Sequence, residues 1–491
     1  MAHLTSATTS SLHQWSKQSL EHQEALGFFP SASRPPTFRV ALRAEQNPKI
    51  PSPSLFLLDA APEISSNSHA ALPAVAECAV HLELLQVFQH LSNKILSSGE
   101  LDQALGIELN RRVVFRNVSK FSRGYRRYER QETKLRDLTF DERRKTKWPL
   151  FLSLAAARFL KWVEVVEEHP AEPVILPPVD ILMVWHSLLL NPKWFKSLNH
   201  KNLSQTPFPW KEIHHAINSE KRDWPMELPS RSPFRLRTGL DQDLLEALTN
   251  IRSVSLKELL KKHDTRDEGS YQKGIKKAEV DEMLKKNSFL DPSEHLLLEC
   301  LQCALSDHPM IKQLVDAVTR QSAFVQKMDR QLWIRSPAVE GTLQRAIQRY
   351  EYFLTLFKMY PRKMLVPTLD IDLVWHTHQC SPAQYMEATQ KLAGRFIDHD
   401  DKLGSDKLDA GLENTINLYR VRFAEEYEYC LCWDCEAVKS AVASESLGEE
   451  QDAQAIAKRL QSVLAYFRAV EIARRKGETL LPIQDGNKPF A

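Results

Sequence analysis

The chain has 491 residues, and its 65 Lys+Arg against 63 Asp+Glu leave no whole-molecule field that would favour nucleic acid or a membrane surface. A hydrophobic content of 43% allows a sizeable core, but there are only 14 glycines. That is less than half of the roughly 7% average usage and excludes folds built on many positive-φ turns, such as propellers and dinucleotide-binding sheets.

The most apolar stretch, 173–192, carries Asp180, His186 and four prolines, too interrupted for the roughly 20 apolar residues of a membrane span. No membrane partner is expected. The N-terminal region lacks a secretory or transit pattern, and six of the seven cysteines follow residue 299, which does not resemble a secreted disulfide framework. The expectation is a cytoplasmic protein, with the nucleus as the alternative.

Residues 1–72 are rich in Ser, Thr, Pro, Ala and His and read as a disordered tail with at most one short helix. Helical spacing then recurs over 79–97, 149–168, 240–262, 293–319, 341–359 and 451–475. The expected class is mainly α, with long loops. In domain terms, the tail is followed by a first helical unit at 73–238, a second at 239–436, and an acidic linker with an amphipathic helix at 437–491.

Within the first unit, residues 111–147 hold 14 Lys/Arg against 5 Asp/Glu, with Phe115, Phe121, Tyr125 and Tyr128 interleaved. A solvated basic helix facing acidic protein surface is the simpler reading. RNA binding through 111–130 is the alternative, because arginines neutralise phosphates and aromatic rings stack on bases. Residues 425–452, with nine acidic groups against Lys439, offer an intramolecular partner.

An internal repeat is the strongest signal. PPVDILMVWHSLLLNPKWF, 177–195, aligns without gaps on PTLDIDLVWHTHQCSPAQY, 367–385, with seven identities in nineteen at an offset of 190 residues. Each copy follows an amphipathic helix, so the body reads as two related helical units. The motif itself reads as helix, since apolar positions 181, 184, 185 and 188 follow helical spacing and a proline precedes each copy.

On a helix, Asp372 and His376 share a face at i, i+4, whereas His378 turns towards the face of Ile371, Val374 and Trp375. His378 then reads as a core histidine, and its counterpart in the first copy is Leu188. Asp180 and Asp370 stand in the first turn, where a carboxylate suits exposed amides. Ser381-Pro382-Ala383-Gln384 has the form of a capping box.

LDIDLVWHTHQCSPAQY, with GRFIDHDDKLGSDKLDAGLENTINLY and YEYCLCWDCEA downstream, resembles the glycine-rich domain-containing protein-like family of plants and fungi, the cysteine segment resembling the fungal branch. The resemblance spans roughly residues 80–436 and implies a domain of uncharacterised function. Plant members are linked to stress and hormone signalling, and some fungal members are labelled α-ketoglutarate-dependent sulfonate dioxygenases. No glycine-rich tail is present. The dioxygenase label is not expected to apply: no histidine follows His399, and a helical composition does not suit a β-sandwich-like barrel.

Cys430, Cys432 and Cys435 place three thiols within six residues. Zinc takes four thiolate or imidazole ligands, and His399 is the expected fourth, with His378 and Cys380 as alternatives. Cys300 and Cys303 lie in a continuous apolar run and read as core thiols. Asp372, His376, His378, His399 and Asp401 form the candidate catalytic set, in which a carboxylate orients an imidazole. The expected function is that of a helical regulatory or interaction protein of this family, with zinc as its cofactor and an unknown protein or small molecule as its partner; the alternatives are a metal-dependent or acid/base enzyme acting on a small molecule, and an RNA-associated protein.

Overall fold

A computed structural model describes residues 50–58, 63–64, 71–109, 112–122, 125–135, 137–169, 175–219, 224, 232–264, 274–286, 290–399, 405–444 and 453–475. It is mainly helical, as expected. The longer helices are α1 (Val75–Ser97), α2 (Lys147–Glu168), α3 (Val179–Leu189), α4 (Val254–Lys261), α5 (Lys277–Lys285), α6 (Pro292–Leu305) and α7 (Pro309–Gln331). They continue as α8 (Val339–Met359), α9 (Leu369–Gln379), α10 (Pro382–Ala393), α11 (Ser405–Phe423), α12 (Trp433–Ser444) and α13 (Ala453–Arg475). Among the described residues the sheets are two-stranded: β1 (Glu63–Ile64) with β2 (Ala71–Leu72), and β3 (Arg112–Ser122) with β4 (Tyr125–Leu135).

Two compact units form, neither of them a continuous segment. One comprises residues 1–89, 188–225 and 320–491, the other 90–187 and 226–319. The boundaries expected at 239 and 437 therefore do not coincide with theirs.

The tail expectation for residues 1–49 lies outside the described residues. Residues 50–58, however, are folded: Pro53–Phe56 form a 3-10 turn, Leu55 is buried, and Phe56 stacks on His214 at 3.9 Å between ring centroids. The ordered body thus begins before Val75. Two expected helices are split. The run 240–262 breaks at Asn250–Ser253, where the Glu294 carboxylate accepts from the backbone N–H of Arg252 and Ser253 at 2.5 and 3.0 Å. The run 293–319 breaks before Pro309, which disfavours helical backbone at the preceding residue.

The basic stretch corrects the reading as a helix. β3 and β4 are 11-residue antiparallel strands with Phe115 opposite Glu132 and Ser122 opposite Tyr125. The β-branched residues Val113, Val114, Val118 and Thr133 favour strand, and a two-residue connection ending in glycine favours a tight hairpin. Phe115, Phe121, Tyr125 and Tyr128 are all exposed, and the Arg130 guanidinium lies 4.1 Å from the centre of the Phe115 ring. The ribbon shows solvent on both faces, so it lacks the one-sided alternation that marks a half-buried strand.

Each copy of the sequence repeat makes the same set of contacts within its own unit. In the unit containing α2, Arg158 Nε donates to the Asp180 carboxylate at 2.7 Å, and the rings of Trp162 and Trp185 lie 5.1 Å apart. In the other, Arg349 Nε donates to Asp370 at 2.7 Å, and Phe353 and Trp375 lie 5.6 Å apart. The helices α3 and α9 begin and end at the same 190-residue offset. Asp180 and Asp370 are thus buried partners of arginine, which corrects the expectation that they serve mainly to cap.

Candidate functional site

Helix α9 carries Asp372, His376 and His378. It starts after Pro367, which presets the backbone at the helix entrance. Ile371, Val374 and Trp375 are buried on one face and Leu373 on the opposite one, so the helix is enclosed nearly all round. Asp372 and His376 share one stripe, as i, i+4 spacing requires.

The loop after α10 returns His399 to that stripe. Trp375 Nε1 donates to the Tyr385 hydroxyl at 2.9 Å, and that hydroxyl donates to the Ile397 carbonyl at 2.9 Å, which pins the loop two residues before His399. The Trp375 and His399 rings stand nearly perpendicular with centroids 4.9 Å apart, and the Phe324 ring lies 4.4 Å from that of His376. The imidazoles are therefore walled by aromatic surface.

Three donor atoms converge there. His376 Nε2 lies 3.3 Å from Asp372 Oδ1 and 3.3 Å from His399 Nε2, and His399 Nε2 lies 3.6 Å from Asp372 Oδ1. Nitrogen and oxygen ligands 2.0–2.1 Å from one ion at tetrahedral angles stand about 3.3 Å apart. The triangle matches that edge length. Burial pushes the Asp372 carboxyl up, but the two imidazoles and Lys327 outweigh it and hold the carboxyl below its ordinary value. The carboxylate is therefore in its ligand form.

The other expected site residues fall elsewhere. His378 is buried against Tyr350, whose hydroxyl lies 3.0 Å from Nδ1, and burial pushes the imidazole down to about 3. It is neutral at physiological pH and faces Tyr385 at 5.3 Å rather than the Asp372 cluster. Asp401 lies outside the described residues. Ser381 makes no capping bond to the α10 amides, which corrects the capping-box reading; proline at the first helical position does the work instead.

Cys430, Cys432 and Cys435 do come together, their sulfur atoms within 4.8 Å of one another at the start of α12. The segment is anchored by two indoles: Trp333 Nε1 donates to the Leu431 carbonyl and Trp433 Nε1 to the Gln331 carbonyl, each at 2.8 Å. Hydrogen bonds from Cys432 and Cys435 hold the Cys430 thiol well below the ordinary range, while the same contacts push Cys432 up. One thiolate is thus favoured in a trio suited to a soft ion. His399, expected as their fourth ligand, is placed instead with Asp372 and His376. Cys380 is buried, and burial pushes its thiol far up. Burial likewise raises Cys300 to about 11, in keeping with a core thiol.

The residues that sequence reasoning missed are the two buried arginines. Arg349 holds Asp370 and also donates to the Tyr427 carbonyl at 2.7 Å and to Thr368 Oγ1 at 3.0 Å, with the Tyr429 ring 4.5 Å from its guanidinium. It ties the segment before the cysteines to the entrance of α9. The available signal was an arginine on the apolar face of each preceding helix, 22 and 21 residues before the aspartate.

Comparison with known proteins gives a family likeness over part of the chain and no activity. Residues 276–388 match the family model described as glycine-rich domain-containing protein-like, a span that includes Asp372 and His376 and stops short of His399, Cys430, Cys432 and Cys435. The chain is 40% identical over 123 residues to glycine-rich domain-containing protein 1 of Arabidopsis thaliana, covering 23% of this chain and 14% of that protein. It is 29% identical over 213 residues to glycine-rich domain-containing protein 2 of the same plant, covering 42% of this chain and 25% of that protein. The chain thus spans a quarter or less of the length of these relatives, which are plant proteins, so they lend nothing to the fungal reading. No solved structure matches. Over residues 276–388 the chain is thus similar to the glycine-rich domain-containing protein-like family.

Proposed function

We propose that this protein is a metal-dependent enzyme acting on a small molecule, with Asp372, His376 and His399 as ligands to one divalent first-row ion, zinc in the first instance. The observation that carries the reading is the donor triangle of 3.3, 3.3 and 3.6 Å. Octahedral angles at the same bond lengths would bring the donors to about 2.9–3.0 Å, so the spacing favours a tetrahedral ion. Three protein ligands leave one position open, which distinguishes a catalytic zinc site from a closed structural one. An ion there would acidify a bound water or polarise a substrate oxygen. The mainly helical fold gives no support to the dioxygenase label.

The exposed β3–β4 ribbon favours a second reading, a regulatory or interaction protein in which a bound ion only holds the fold. The two differ in whether the fourth ligand exchanges.

The test is metal content. In a Cys430→Ser/Cys432→Ser/Cys435→Ser background, the purified chain is expected to retain one zinc per molecule by elemental analysis. Adding His376→Ala or His399→Ala should weaken zinc binding by more than the roughly 10–100-fold that changes to outer-shell partners cost. No zinc in the cysteine-free background would end the reading.

A further inference from the structure

Cys430, Cys432 and Cys435 form a ligand group separate from Asp372, His376 and His399. Their convergence follows from the local backbone. The Glu436 N–H donates to the Cys432 carbonyl at 3.0 Å, the first helical turn of α12, so Cys432 and Cys435 are i, i+3 neighbours on that turn. Cys430 enters from the non-helical segment before it, and Trp333 Nε1 holds the intervening Leu431 carbonyl at 2.8 Å. All three sulfurs lie within 4.8 Å of one another. Sulfurs about 2.3 Å from one ion stand about 3.8–4.0 Å apart, so the segment needs little movement to close on an ion.

The donor set is confined to sulfur. Among the described residues no imidazole or carboxylate joins the three sulfurs at that distance. The two acids that flank Cys435 are engaged elsewhere: Asp434 pairs with Arg468, and Glu436 with Arg345 at 2.5 Å and Lys439 at 3.4 Å. Zinc completes a tetrahedron of four ligands, one more than the trio supplies. Copper(I), a monovalent ion with a filled d shell, is satisfied by three thiolates in a plane, and soft sulfur is the donor it selects. Cys430 is exposed, which gives an ion access from solvent, while Cys432 and Cys435 are half-buried.

We propose that Cys430, Cys432 and Cys435 bind one copper(I) ion in a three-sulfur site. The thiols release their protons to solvent as the copper–sulfur bonds form, and neither copper nor sulfur changes oxidation state. The ion pairs of Asp434 and Glu436 keep carboxylate oxygen out of the shell. The assignment uses none of the ligands Asp372, His376 and His399 and stands whether or not an ion binds there.

Anaerobic titration of the reduced full chain with copper(I), in competition with the chelator bathocuproine disulfonate, tests it. One copper per chain is expected to leave the chelator, and X-ray absorption of that complex should show three sulfur scatterers and no nitrogen or oxygen. Cys430→Ser should lower copper affinity by more than about 100-fold, beyond what changes to outer-shell partners cost. The melting temperature of the metal-free chain should not move, because that side chain is exposed. Cys300→Ala/Cys303→Ala should take up copper as the parent does. So should His376→Ala, which separates failure here from failure of the metal-enzyme reading. No transfer of copper, a shell containing nitrogen or oxygen, or unchanged affinity in Cys430→Ser would overturn the assignment.

Discussion

Arg349→Met is expected to cost about 3–5 kcal/mol of folding stability, a large share of the roughly 5–15 kcal/mol that a typical protein has. The substitution strands the Asp370 carboxylate, which is buried and, among the described residues, also accepts from Thr368 Oγ1 at 2.6 Å. It also removes the donor to the Tyr427 carbonyl. Arg349→Lys should not rescue it, because an ammonium cannot reproduce the guanidinium fork that reaches Asp370, Thr368 and Tyr427 at once. Arg349→Met with Asp370→Leu should recover part of the loss, since replacing both members of a buried pair removes the uncompensated charge. Chemical denaturation of the three variants measures this; a single variant within about 1 kcal/mol of the parent would mean the pair is dispensable.

Trp375→Ala should have a comparable effect, about 3–5 kcal/mol for a buried tryptophan. Its ring packs on Phe353 and Phe357, and its indole starts the relay through Tyr385 to Ile397. The milder Trp375→Phe keeps the packing and breaks the relay. It should cost about 1–2 kcal/mol and still lower zinc affinity, because the loop carrying His399 loses its anchor. Tyr385→Phe should shift zinc affinity in the same direction. A stability loss with unchanged zinc affinity would make Trp375 a packing residue and nothing more.

What was legible in the sequence follows from what local spacing encodes. Helical spacing made α9 readable: it puts Asp372 and His376 on one stripe and turns His378 to the face of Ile371, Val374 and Trp375. His399 was visible as a candidate, but local spacing does not say towards which cluster a loop 23 residues away returns; the Tyr385–Ile397 bond decides that. The buried arginines were hidden because a polar residue on an apolar face looks like a break in the pattern until its aspartate is found on another helix. The β3–β4 hairpin was missed because both of its faces meet solvent, so its charges carry no alternation to read.

A metal-dependent activity requires that Asp372, His376 and His399 hold an ion with an open position. X-ray absorption of the zinc-loaded cysteine-free variant measures this most directly. The predicted result is a four-ligand nitrogen/oxygen shell at about 2.0–2.1 Å, with two imidazoles and one oxygen that added azide displaces. A shell without imidazole, a fourth ligand that azide leaves in place, or no stoichiometric zinc would contradict it.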